Sequence, residues 1–135
     1  MLQQLAIRNF ALIESLDIEP GPGLNIVSGE TGAGKSIIIG ALQLILGQRA
    51  EKSVIRSGAE SCEVNAIIAL AERPELLAVI DARLETAGAP VCEDGLLILR
   101  RVVTGGGSRH FVNSCPVTLQ VLADIGELLV DVHGP

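Results

Sequence analysis

The chain has 135 residues, room for one compact domain, and 48% of them are hydrophobic. Only Phe10 and Phe111 are aromatic, which excludes base-stacking nucleic-acid modules, since these hold bases on several aromatic faces. Sixteen acidic residues against ten basic ones give a net charge of −6, so bulk electrostatics do not draw the chain to nucleic acid or an anionic membrane.

Residues 2–8 and 12–18 alternate loosely between apolar and polar and predict a short antiparallel pair. Gly21-Pro22-Gly23 then turns the chain into the apolar run Leu24–Val27, read as a buried strand. A glycine-rich loop follows, and after it residues 37–46 are apolar on every helical face up to Gly47. Such a helix is expected to be buried on all sides. Residues 48–61 are polar and irregular, and Cys62 to Leu70 alternate as a strand. Leucines and isoleucines at 76, 77, 80 and 84 give a helical period between Pro74, suited to a first turn, and Gly88, suited to a stop. Residues 96–103 and 109–113 flank Thr104-Gly105-Gly106-Gly107-Ser108 as a hairpin. A helix from about Thr118 to Ile125, ended by Gly126, and a last strand from Glu127 to Val132 complete the reading. The expected class is one mixed α/β unit.

Cys62, Cys92 and Cys115 are odd in number and form no C-x-x-C pair, which predicts reduced, partly buried thiols as in a reducing cytoplasm. The first residues show no secretory pattern, and the most apolar stretch, 37–46, falls well short of the ~20 residues that span a bilayer.

Gly29-Glu30-Thr31-Gly32-Ala33-Gly34-Lys35-Ser36 fits G-x-x-x-x-G-K-[ST] at every fixed position. In this motif the glycines let backbone N–H groups curl around phosphate oxygens. Lys35 brings a point charge to the β- and γ-phosphates, and Ser36 offers a hydroxyl to Mg²⁺. The helix that follows turns its positive end to the same phosphates. These eight residues are the candidate nucleotide site, with Lys35 as the catalytic candidate and Ser36 as the metal ligand.

Beyond the loop, Leu5-Ala6-Ile7-Arg8-Asn9-Phe10-Ala11-Leu12-Ile13 and the run Gly23 to Ser36 closely resemble the N-terminal head segment of the RecN family, a bacterial DNA-repair branch of the structural-maintenance-of-chromosomes (SMC) ATPases. The resemblance continues through Leu46–Ala50, Val54–Gly58, Leu99–Val102, Ser108–Asn113 and Gly126–Gly134. It implies a P-loop NTPase fold: the N-terminal lobe of an ABC/SMC-type head over residues 1–135, with a mixed sheet and a β-hairpin subdomain. A coiled coil and a C-terminal lobe carrying Walker B and signature motifs then belong elsewhere in the protein. It further implies ATP and Mg²⁺ as cofactors, a homodimer through ATP-sandwiched heads, DNA bound by the assembled protein, and a bacterial cytoplasm around the nucleoid. Arg8, Asn9 and Arg56 are the positions it adds near the nucleotide. The family pattern has a Q-loop glutamine where this chain has Pro135.

Arg100, Arg101, Arg109 and His110 suggest a small basic patch on the hairpin, although strand alternation sends Arg100 and Arg101 to opposite faces. Leu128 to Asp131 mimic a Walker B strand, and Asp131-x-x-Gly134 mimics a GTPase switch. These features frame the alternative of a small self-contained GTPase-like or kinase-like P-loop protein. Against it, no N-K-x-D follows the phosphate loop. A third reading is an interaction module whose exposed apolar surface, the helix 37–46 included, is covered by a partner or by the other half of the head.

Overall fold

A computed structural model describes residues 2–19, 32–50 and 52–132, without the side chains of 32–35, 52, 131 and 132. Among the described residues six strands form one sheet: β1 (Leu2–Phe10), β2 (Ile13–Ile18), β3 (Ser61–Ala69), β4 (Leu96–Thr104), β5 (Gly107–Val112) and β6 (Cys115–Val117). Their order is β2-β1-β3-β4-β5-β6, and every pair is antiparallel. The expected strand Leu24–Val27 lies outside the described residues.

The period-two pattern decides which side chains form the core. Cys62, Val64, Ala66 and Ile68 of β3 are buried with Leu97, Leu99 and Val103 of β4, while the alternate residues face outward. The helices α1 (Gly32–Ile45), α2 (Pro74–Ala87) and α3 (Leu119–Val132) share one core with that face. On the opposite, open face a polar row crosses the sheet. Arg8 pairs with Asp17 at 3.0 Å, Glu63 with Arg100 at 3.0 Å, and the Arg100 guanidinium lies 5.2 Å from the Phe111 ring centre.

Helix α2 runs as the sequence predicts, from Pro74 in its first turn to a left-handed Gly88 (φ 79°), with Leu76, Ile80 and Leu84 buried at helical spacing. Helix α1 differs from expectation, being buried on one side rather than all round. Ala41, Leu44 and Ile45 are enclosed, whereas Ile39 is 53% exposed, because no described element packs on that outer face. Its end is a Schellman motif: left-handed Gly47 donates to the Leu44 carbonyl at 3.2 Å and Gln48 to the Gln43 carbonyl at 3.1 Å.

The C-terminal reading is corrected. Residues 127–132 are not a strand, and Gly126 does not end a helix. Thr118 caps α3 by accepting from the Val121 N–H at 3.2 Å, and the helix then runs unbroken to Val132. Leu122, Ile125 and Leu129 are buried at spacings of three and four, so the helical period outweighs the local apolar run. Gly126 serves close approach instead. A Cβ there would overlap the Leu46 carbonyl oxygen, and one on Gly47 would lie 2.5 Å from the Ala123 Cα. Two glycines thus seat α3 against the end of α1. Asp131 consequently sits on a helix, where it cannot act as the carboxylate ending a Walker B strand.

Candidate nucleotide-binding site

Of the phosphate-loop residues, Gly29, Glu30 and Thr31 lie outside the described residues. Gly32, Ala33, Gly34 and Lys35 form the backbone of the first turn of α1, and the Ser36 side chain that follows is exposed. Local chemistry favours an anion at this end, since no acidic residue stands in the first turn to oppose the free N–H groups. A lysine and a serine hydroxyl on the same turn suit Mg²⁺–nucleotide.

Asn9 and Arg56 come together at the end of β1, while Arg8 turns to the open face of the sheet. Asn9 takes a left-handed backbone (φ 53°), which asparagine tolerates better than most residues, and its carbonyl accepts from the Arg56 N–H at 2.8 Å. The Ala11 N–H donates to the Val54 carbonyl at 2.7 Å, and Phe10 bridges Ile55. The segment behind the short 3₁₀ turn Lys52–Val54 is therefore stitched to the β1 terminus. Phe10 is buried, and its Cζ stands 3.3 Å from where a Gly40 Cβ would be, so the same strand end supports α1. Arg8 is committed to Asp17, whereas the Arg56 guanidinium touches Glu14 only at 4.0 Å and is the more available of the two. Asn9 and Arg56 are thus neighbours through backbone, at the end of a strand packed beneath the helix that follows the phosphate loop.

The basic hairpin patch does not form as drawn. Arg100 is tied to Glu63 on the open face, and Arg101 is 1% exposed on the core face. There Arg101 Nη1 donates to the Leu44 carbonyl at 2.7 Å and to the Gln48 carbonyl, the two acceptors flanking the end of α1. His110 is half-buried, its Nε2 2.7 Å from Ser108 Oγ. Burial and then the nearby Arg101 charge hold its pKa below the usual histidine value. Arg101 was missed as a structural anchor, although the parity that buries Leu97, Leu99 and Val103 also points it inward.

Residues 4–88 match the model of a family described as the AAA domain. The chain belongs to the AAA domain family. Membership implies nucleotide binding, in keeping with the lysine and serine on the first turn of α1. Across nearly all of its length this AAA domain is also similar to proteins named DNA repair protein RecN. It is 45% identical to that of Vibrio cholerae over 99% of this chain and 23% of the relative, and 42% identical to that of Xylella fastidiosa with the same coverage. The chain therefore spans about a quarter of the length of the curated relatives it matches. Among solved structures, one from work on ATP-driven dimerization and DNA-stimulated activation of SMC ATPases superimposes with a TM-score of 0.69. It is 22% identical and the match covers 94% of this chain and 78% of that one, a likeness of fold. Among the described residues no helix is long and apolar enough to cross a membrane.

Proposed function

We propose that this chain is the ATP-binding lobe of a RecN-like ATPase acting in DNA double-strand break repair and recombination. The observation that carries the reading is the G-K-S turn at the positive end of α1, in a chain similar over 99% of its length to DNA repair proteins. The loop Gly29–Ser36 grips the phosphates, Lys35 neutralises charge on the transferring phosphoryl, and Ser36 holds Mg²⁺. Arg56, Asn9 and Arg8 belong to the neighbouring strand end, with Arg56 the side chain least engaged elsewhere.

Hydrolysis needs a carboxylate to orient water, and the corrected α3 removes Asp131 as a strand-borne candidate, so that group comes from a C-terminal lobe of the same protein. ATP held between the lobes of two copies joins their heads and hydrolysis parts them, while DNA is bound by the assembled protein in the cytoplasm, at the nucleoid. The fold likeness to an SMC ATPase structure supports this arrangement. The same correction counts against the GTPase-like alternative, whose switch requires Asp131 at the end of a strand.

The test is ATP binding by the chain and by Lys35→Ala. Loss of at least about tenfold in affinity in the variant is expected. Equal binding by both, or none by either, overturns the proposal.

A further inference from the structure

A cleft of about 370 Å³ opens between the end of α1 and the tip of the β4–β5 hairpin, away from the G-K-S turn. One wall carries Arg49 and Ala50, the floor Arg101, and the other wall Thr104 to Ser108. No described acidic side chain lines it, although the protein has sixteen acidic residues and a net charge of −6.

The floor is electrostatically incomplete. Arg8, Arg56, Arg83 and Arg100 each lie within ion-pair distance of a carboxylate, but Arg101, the most deeply buried of the arginines, has none among the described residues. Its two acceptors among the described residues are the neutral carbonyls of Leu44 and Gln48, and its Nε has no hydrogen-bond partner among them. A buried guanidinium compensated only by helix-end dipoles leaves positive potential on the cleft beside it. Arg49, exposed and outside every ion pair among the described residues, adds to that potential. The facing turn is bare backbone. Nothing lies within 4 Å of where side chains on Gly105 and Gly107 would begin, so the wall neither fills nor closes the space.

We propose that this cleft binds a phosphate-class oxyanion between Arg49 and Arg101. Arg101, held beneath the floor by its two carbonyls, supplies fixed positive charge without further loss of side-chain freedom, while Arg49 closes on the anion from solvent. The volume exceeds what a single phosphate fills, which leaves room for ester substituents and makes both free phosphate and a phosphodiester backbone candidate sources. The site is independent of the nucleotide reading, since none of its residues belongs to the phosphate loop.

Inorganic phosphate is titrated into the isotope-labelled chain at constant ionic strength, in a Lys35→Ala background so that the phosphate loop does not compete, while the arginine Nε–H signals are followed. Saturable shifts at Arg49 and Arg101 are expected, with affinity weakened about tenfold by Arg49→Gln and unchanged by Arg109→Gln, whose side chain is on the other face of β5. A short DNA duplex that displaces phosphate identifies a phosphodiester source, and one that does not identifies free phosphate. Shifts that never saturate, or that survive Arg49→Gln unaltered, overturn the site. Arg49 is exposed, so its variant keeps the test valid even if Arg101 variants fail to fold.

Discussion

The Arg101 guanidinium reaches from the middle of a strand to the Leu44 carbonyl, 57 residues earlier in sequence and 2.7 Å away. It ties the sheet to the last turn of α1, the helix that begins with the phosphate-loop lysine and serine. The Schellman motif at Gly47 satisfies the Gln43 and Leu44 carbonyls from within the chain, and Arg101 adds a cation at the negative end of the helix.

Arg101→Ala is therefore expected to lower the unfolding free energy by about 2–4 kcal/mol, by removing the charge-assisted hydrogen bonds to the Leu44 and Gln48 carbonyls and opening a cavity among core residues. Urea denaturation of variant and parent measures it. A loss under about 0.5 kcal/mol, the scale of a surface substitution, would show the guanidinium to be dispensable.

The close seating of α3 on α1 gives a second expectation. Gly126→Ala places a methyl group on the Leu46 carbonyl oxygen, a backbone atom that moves only if the helices separate. Overpacking of this kind costs about 1–3 kcal/mol even though alanine is the better helix former. A thermal scan reads the sign directly: stabilisation would mean that helix propensity, not approach, governs position 126.

The same glycine shows where sequence reading succeeds and where it fails. Strands β3 and β4 and helix α2 were legible because their signals are local: alternation in the first half of β3, the glycine turn that closes β4, and Pro74, Gly88 and an apolar stripe in the helix. The start of α3 was legible from Thr118, but Gly126 is punctuation only if nothing comes near it, and the approach of Leu46 is a tertiary fact. Strand β6, three residues after the Asn113–Ser114 turn with both φ values positive, is too short to announce itself by pattern. For the site, the motif alone marks the residues proposed to act on phosphate. The pairing of Asn9 with Arg56 rests on backbone hydrogen bonds that no side-chain pattern encodes.

The proposed function gives Ser36 to the metal rather than to the phosphates, and this separates it from Lys35. Ser36→Ala should weaken ATP binding about tenfold in the presence of Mg²⁺ and leave binding under chelation unchanged. Equal losses with and without Mg²⁺, followed by fluorescence of a labelled nucleotide, would move the hydroxyl from metal to phosphate.

Acid sensitivity has a named source in the α2–α3 contact. Asp124 accepts from Arg83 at 2.6 Å and from Gln120 at 2.9 Å, and the Arg83 hydrogen bond above all holds its carboxyl below the usual carboxylate value. A depressed folded-state pKa contributes stability that is present above the unfolded value of about 3.9 and lost as pH falls through the folded value. Asp124→Asn should thus be less stable than the parent at pH 7, and the gap should narrow as pH falls below the unfolded value of about 3.9. A gap in denaturation midpoint that is constant across this range would assign the effect to shape rather than charge.

Cys92 offers a chemical readout of the loop that packs beside α2. Burial first, and then the Asp81 carboxylate, push its thiol up to about 11, and Asp81 Oδ1 accepts the Cys92 backbone N–H at 2.9 Å. The thiolate is the reacting species, so alkylation of Cys92 at pH 8 should be about a hundredfold slower than for a free thiol of pKa near 8.5, and should rise about tenfold per pH unit until the thiol ionises. Asp81→Asn removes the charge while keeping a carbonyl oxygen for the backbone bond, and should speed the reaction without loosening the loop. Mass spectrometry after timed alkylation separates Cys92 from Cys62 and Cys115. Rapid labelling of Cys92 in the folded parent at pH 8 would mean that this loop opens faster than its hydrogen bonds to Asp81 and Asn113 imply.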